Sequence, residues 1–340
     1  MSRFSGVLFG VSLAMVVAMT PASTAEDKPI FALALHGGAG GDPGQWDEPT
    51  KQARRLGLSQ ALERGIELLA AGGTALDAVE SVVSVLEDDP NFNAGRGCVL
   101  NSQGEHELDA SIMDGSNLQC GAVASARRAK NPIGLARRVM SDTRHVLLIG
   151  GGADQFAEQL GVELKDDDYF RTPRQVANWE RWKSRQPDVT LHRPKSQAAD
   201  EDQLYLGTVG CVALDQHGNL AAATSTGGLM GKRPGRVGDS PLIGAGNYAN
   251  NDSCAVSGTG VGEEFIRHQV AADVAARMRY AQQPLREAAQ AVIAKLPEDC
   301  GGIIAIDRTG QIVMEFNTPG MSRAACDASG RRLIALGREE

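Results

Sequence analysis

One hairpin constrains this chain more than any other stretch. Thr208-Val-Gly-Cys-Val-Ala-Leu-Asp215 and Leu220-Ala-Ala-Ala-Thr-Ser-Thr226-Gly-Gly228 are apolar runs separated by Gln216-His-Gly-Asn219. Two such runs about a glycine-containing turn read as a β-hairpin. With Gln216 facing Asn219, Thr208 lies across from Gly227, one residue from Thr226. A threonine that opens a strand, follows a glycine and has a second threonine for a neighbour is unusual. A threonine hydroxyl is a weak nucleophile, but a free α-amino group on the same residue can serve as its base. That chemistry needs the Gly207–Thr208 bond cut, so the pattern predicts a self-cleaving precursor.

Met1-Ser-Arg-Phe-Ser-Gly, the apolar run Val7 to Met19 and the small residues Ser23-Thr-Ala25 read as a secretory signal peptide over residues 1–25. The apolar run is shorter than the roughly 20 residues that span a bilayer, so no membrane anchor is expected. The mature chain is expected to start at Glu26 and to be exported, periplasmic or secreted. A net charge of −8 without a dense basic cluster argues against nucleic acid as a partner. Glycine is abundant, but in short punctuated groups, which suggests tightly turned backbone near a ligand. Six cysteines, at 98, 120, 211, 254, 300 and 326, could pair in an oxidising compartment. Their spacing holds no C-x-x-C zinc pattern, and Cys211 reads as a small buried hydrophobe.

Ile30 to Leu35 reads as a strand running into a His36-Gly-Gly-Ala-Gly-Gly41 loop. No G-x-S-x-G accompanies it, so an α/β-hydrolase oxyanion loop is not supported. Thr50 to Leu69 reads as a helix, and Thr74-Ala-Leu-Asp77 as the cap of another whose apolar face is Ala78, Val79, Val82, Val83 and Leu86. Glu107–Asp114 and Cys120–Ser125 form a strand pair, Asn131-Pro132 starts a helix, and His145–Ile149 is a strand before Gly150-Gly-Gly152 and a further helix. Residues 161–206 change character. The Trp179 and Trp182 pair suits a helix packed on the body, whereas residues 183–203 read as an exposed linker.

Downstream, Arg236 and Asp239 stand three residues apart in a glycine-rich loop. A guanidinium can grip a carboxylate through two hydrogen bonds, and a carboxylate can hold an ammonium, so the pair suits an α-amino acid head group. Ala255 to Thr259 reads as a strand. With Gly260 and the following helix, Glu263 to Tyr280, it offers N–H groups and a hydroxyl for an oxyanion. A second helix, Pro284–Lys295, and a final hairpin, Gly301–Asp307 with Gln311–Phe316, follow.

These segments resemble the plant-type (class 2) L-asparaginase / isoaspartyl aminopeptidase branch of the N-terminal nucleophile hydrolases. The resemblance rests on His36-Gly-Gly-Ala-Gly, Gly73-Thr-Ala-Leu-Asp-Ala-Val, Phe92-Asn-Ala-Gly, Glu107-Leu-Asp-Ala, Gly207-Thr-Val-Gly, Thr224-Ser-Thr-Gly-Gly, Pro234-Gly-Arg-Val-Gly-Asp-Ser-Pro, Gly258-Thr-Gly and Phe316-Asn-Thr-Pro-Gly-Met. It implies an α+β fold, a four-layer αββα sandwich, in one structural domain over residues 26–340. It implies cleavage at Gly207–Thr208 into an α chain, 26–207, ending in a variable linker at 161–206, and a β chain, 208–340. It assigns Thr208 as nucleophile, Thr226 as its hydroxyl neighbour, Arg236 and Asp239 as substrate holders, and Thr259 with Gly260 as oxyanion donors. It implies no catalytic cofactor, and a structural sodium ion on the main-chain carbonyls of Leu86, Glu87, Asp89, Phe92, Ala94 and Arg96. The expected substrates are L-asparagine and β-aspartyl dipeptides, and the expected assembly is a dimer of cleaved protomers. The alternatives are a glycosylasparaginase-type amidohydrolase and, from a different class, an exported aspartate-binding protein.

Overall fold

Two β-sheets lie face to face between two layers of helices in the computed structural model, which describes Met1, residues 31–185 and residues 207–338. In chain order the elements are β1 (Ala32–Ala39), α1 (Glu48–Ala70), α2 (Ala75–Asp88), β2 (Leu108–Asp114), β3 (Cys120–Ala126), α3 (Pro132–Asp142), β4 (Leu147–Ile149), α4 (Gly150–Leu160), α5 (Asp167–Phe170) and α6 (Pro173–Ser184). After the segment outside the described residues come β5 (Val209–Leu214), β6 (Leu220–Thr226), β7 (Asn247–Ala249), β8 (Cys254–Gly260), α7 (Gly262–His268), α8 (Val270–Ala281) and α9 (Leu285–Ile293). The chain closes with β9 (Gly301–Asp307), β10 (Ile312–Phe316), β11 (Gly320–Cys326) and β12 (Arg332–Gly337). The large sheet has the order β12-β11-β1-β5-β6-β2-β3-β4, the small one β10-β9-β8-β7. This is the expected four-layer αββα sandwich. The expected signal peptide lies outside the described residues, apart from Met1.

Side-chain alternation builds the layers. Cys211 and Ala213 of β5 pack with Val79, Val82 and Val83 of α2, whereas Val212 and Leu214 face Ile304 and Ile306 of the small sheet. On the other side of the small sheet, Val256 and Ile303 pack with Val274 of α8 and Val292 of α9. A strand with both faces covered carries apolar residues throughout, which is why the hairpin reads as unbroken apolar runs. Each large side chain buried this way contributes about 2 kcal/mol. The start of α2 is fixed at both ends of its first turn. Thr74 accepts the Asp77 N–H at 3.1 Å, and Asp215 at the end of β5 accepts the Ala75 N–H at 2.9 Å.

The hairpin forms, but with a loop one residue longer than expected. Asp215, not Gln216, faces Asn219, because the loop has three residues and Gly218 takes φ +78. Such a loop is a turn closed by a left-handed residue. Val209 therefore faces Ser225, and Thr208 falls opposite Thr226 itself. The His36-Gly-Gly-Ala stretch is not a loop but the second half of β1, with a register shift between His36 and Ala39. The helix expected from Glu263 to Tyr280 is two helices, α7 and α8, broken at Gln269 with φ +48. The second helix can begin afresh there because carbonyls of Ala245 and Gly244 take the N–H groups of Ala271 and Ala272.

Residues 161–185 are not linker. Trp179 donates its indole N–H to Asn101 O at 2.8 Å, and Trp182 packs on Gly231. The remainder of the expected linker, through Leu206, lies outside the described residues. The six cysteines are free thiols, with Cys211 fully buried in β5. Gly210 on β5 has no room for a side chain, since a Cβ there would overlap Ser257 Oγ and His36 Nε2. Gly210→Ala is expected to lower folding stability by about 3 kcal/mol through overpacking, measured as a drop in denaturant midpoint at unchanged slope.

Candidate active site

Thr208 sits one residue before β5 and Thr226 at the last position of β6, so the strand period turns both side chains into the layer between the sheets. The Thr208 hydroxyl donates to Thr226 Oγ1 at 3.0 Å, and the Gly228 N–H donates to the same oxygen at 2.9 Å. Thr208 is 8% exposed and Thr226 2% exposed, so the pair is nearly shielded from water. The Gly207–Thr208 peptide is intact here, and Gly207 O accepts the Asn93 N–H at 3.2 Å.

A small cleft opens on these residues. Gly207, Thr208, Thr226, Arg236, Asp239 and Gly260 line it, with Leu229 and Ser240 at its side. With Gly207 in place its free space is about that of one water molecule. Five expected positions of the active site, Thr208, Thr226, Arg236, Asp239 and Gly260, therefore meet beside the Gly207–Thr208 peptide. Thr259 lies behind the cleft, fully buried, with its Oγ1 accepting the Ala39 N–H at 3.2 Å. It faces the same inter-sheet layer as Thr208, since Ala255, two strand periods earlier, packs there.

The two charged residues differ in their partners. Arg236 is held by Glu263 of α7 through Nε at 3.0 Å and Nη2 at 2.8 Å. Two of its five N–H donors are thereby used, and three remain. Asp239 is 5% exposed and its Oδ2 is buried with no hydrogen-bond partner among the described residues. Burial pushes the Asp239 carboxyl up to about 7, against the opposing pull of its own backbone N–H and of Arg236. An unpartnered buried carboxylate of this kind suits a cationic ligand.

Below the junction His36 bridges the sheets. The Thr208 carbonyl accepts from His36 Nδ1 at 3.0 Å, so Nε2 is the acceptor for the Ser257 hydroxyl at 2.9 Å. Burial pushes the imidazole down to about 3, against its bond to Thr208, so His36 stays neutral and acts as a spacer. Sequence reasoning missed His36, Asn93 and Glu263. Asn93 carried a signal, since a polar residue flanked by Phe92 and Ala94-Gly95 breaks an otherwise apolar turn. Its side chain donates to Gly228 O at 2.8 Å and accepts from Val99 N at 2.9 Å.

The loop after α2 brings carbonyls together. A Cβ on Gly95 would press on Glu87 O, and one on Gly97 would overlap Phe92 O. Asp89 O and Ala94 O accept the N–H groups of Phe92 and Gly97, each with a second lone pair to spare. The Asp89 side chain turns to Asn91, and Arg96 lies over the Tyr169 ring. The loop thus presents backbone oxygens, a donor set that suits a hard cation.

Two face-to-face sheets between helix layers, as here, are the αββα sandwich of the N-terminal nucleophile type of hydrolase. The family described as asparaginase matches residues 29–335, and the chain belongs to that family. It is 47% identical over 296 residues to the isoaspartyl peptidase of Escherichia coli, covering 86% of this chain and 91% of that protein. It is 45% identical over 296 residues to the isoaspartyl peptidase of Salmonella typhimurium, covering 86% and 94%. It is 42% identical over 322 residues to the probable isoaspartyl peptidase/L-asparaginase 2 of Arabidopsis thaliana, covering 90% and 98%.

The raised Asp239 value has a consequence for stability. The unfolded chain releases this proton near the usual 3.8 and the folded chain near 7, so between them rising pH costs the folded state stability, and the full cost stands above pH 7. Asp239→Asn is therefore expected to raise the melting temperature at pH 8, with the gain shrinking as pH falls toward 4. Equal gains at both ends of the range would contradict the assignment.

Proposed function

We propose that the chain is a self-cleaving threonine hydrolase that releases L-aspartate from β-aspartyl dipeptides and from L-asparagine. The observation that carries this is the Thr208–Thr226 hydroxyl pair beside the Gly207 carbonyl, with an unpartnered Asp239 and a braced Arg236 in the same cleft. In self-cleavage Thr208 Oγ attacks the Gly207 carbonyl carbon. The C–N bond breaks, the hydroxyl proton passes to the leaving amine, and water hydrolyses the resulting ester. The Asn93 N–H already meets the carbonyl oxygen on which charge grows.

In turnover the freed Thr208 α-amine takes the hydroxyl proton and Oγ attacks the side-chain carbonyl of the substrate. The Thr259 hydroxyl and the Gly260 backbone stabilise the oxyanion, and Thr226 holds the nucleophile in line. The remaining donors of Arg236 take the α-carboxylate and Asp239 takes the ammonium. Ammonia or an amine leaves, and water releases aspartate. No cofactor is assigned to the chemistry. The carbonyls of Leu86, Glu87, Asp89, Phe92, Ala94 and Arg96 would hold a sodium-type ion, whose role is to fix the loop that carries Asn93. Export after residue 25 and a dimer of cleaved protomers belong to the same proposal. Among the described residues no helix is long and apolar enough to cross a membrane.

A glycosylasparaginase would share the nucleophile and the head-group contacts, and turnover of a glycosylated asparagine in preference to a β-aspartyl dipeptide would favour it. Intact mass of the purified protein is expected to show chains 26–207 and 208–340, and Thr208→Ala is expected to stay whole and inactive. A Thr208→Ala variant that hydrolyses β-aspartyl dipeptides would refute the reading. Activity should also rise with pH through the range 7 to 8. Asp239 must be ionised to hold the ammonium, which acts on KM, and the α-amine, ordinarily near 7.7, must be neutral to accept a proton, which acts on kcat.

A further inference from the structure

Arg54 of α1 is a buried guanidinium that the proposed chemistry does not use. It is 9% exposed and has no carboxylate at ion-pair distance among the described residues. Its Nη2 donates to Gly37 O at 2.6 Å, its Nη1 to Asn91 O at 2.8 Å and its Nε to Ser322 Oγ at 3.2 Å. The Cζ atom lies 5.0 Å from the ring centres of both Trp46 and Phe92. Burial lowers its pKa to about 10, which leaves it charged at neutral pH.

The two carbonyls it joins belong to the two segments that touch Gly207. Gly38, the residue after Gly37, adopts φ +112, and a Cβ there would overlap the Gly207 Cα. Asn93, two residues after Asn91, donates its N–H to Gly207 O at 3.2 Å, and a Cβ on Gly207 would sit 3.2 Å from the Asn93 Cβ. Gly207 is thus gripped between two stretches of backbone that come from distant parts of the chain. A planar fork with separate Nη donors can tie two carbonyls at fixed spacing, whereas an ammonium is a single point of attachment.

We propose that Arg54 is a positioning residue for self-cleavage: it clamps the Gly37–Gly38 and Asn91–Asn93 backbones together and so holds the Gly207 carbonyl for attack by Thr208 Oγ. The inference rests on the self-cleavage reading. Misplacement of a reacting group by about 1 Å can cost about a hundredfold in rate. An ordinary buried cation would matter to stability alone.

The test follows the uncut full-length chain with time on denaturing gels for wild type, Arg54→Ala and Arg54→Lys, with melting temperatures alongside. Arg54→Ala is expected to cleave at least tenfold more slowly, and millimolar guanidinium ion, which fits the vacated space, is expected to restore part of the rate. Arg54→Lys keeps the charge and most of the stem, which protects the test if the alanine variant fails to fold. It is expected to cleave slowly as well, without response to guanidinium. Wild-type cleavage rates in both variants, or a slow alanine variant that guanidinium leaves unchanged, overturn the clamp. A wild-type chain that stays whole overturns the self-cleavage reading itself, and the clamp with it.

Discussion

The register of the central hairpin sets where every other part of the site must be. Three hydrogen bonds to one side chain hold it. Asp215 Oδ1 accepts the N–H groups of His217 and Asn219 at 2.9 Å each, which closes the three-residue turn, and Oδ2 accepts the Ala75 N–H at the start of α2. A slip of one residue would send the Thr226 hydroxyl toward the helices and away from Thr208, because side chains alternate with period two. The turn at one end of the hairpin therefore fixes the 3.0 Å hydroxyl contact at the other. The helix it anchors covers the outer face of the same two strands.

Much of this was legible from residue order. The helix cap at Thr74 expresses a local rule and forms as that rule requires, and Thr208, Arg236 and Asp239, singled out by their local context, line one cleft. The hairpin register was wrong by one because a two-residue and a three-residue turn share the sequence Gln216-His-Gly-Asn219, and only the φ of Gly218 separates them. The second half of β1 was hidden by its glycines, which usually break strands. Here Gly38 is needed because Gly207 packs where a Cβ would be.

Other features have no local signature at all. Gly320-Met-Ser-Arg-Ala-Ala-Cys326 forms β11 without a β-branched residue, since its pairing with β1 and β12 supplies the order that propensity does not. The break between α7 and α8 depends on carbonyls contributed by Gly244 and Ala245, far away in sequence. The Glu263 contact to Arg236 spans two loops, and only the folded geometry shows that the guanidinium is already half engaged.

That engagement makes the cleft asymmetric. Glu263 pairs with Arg236, whereas the buried Asp239 Oδ2 has no hydrogen-bond partner among the described residues, so the cleft holds a carboxylate that folding alone leaves unsatisfied. Retaining such a group costs stability, and a cationic ligand offsets that cost. On the proposed reading the ammonium of the substrate is that ligand, but it has no way in while Gly207 fills the cleft. On the same reading the glycine that blocks the site is also the acyl group that Thr208 attacks. One proposed bond cleavage would therefore free the amine that serves as base and vacate the space that the substrate needs. Because both would follow from the same event, the proposed self-cleavage couples formation of the base to opening of the cleft, and Gly207 itself keeps the uncut site closed.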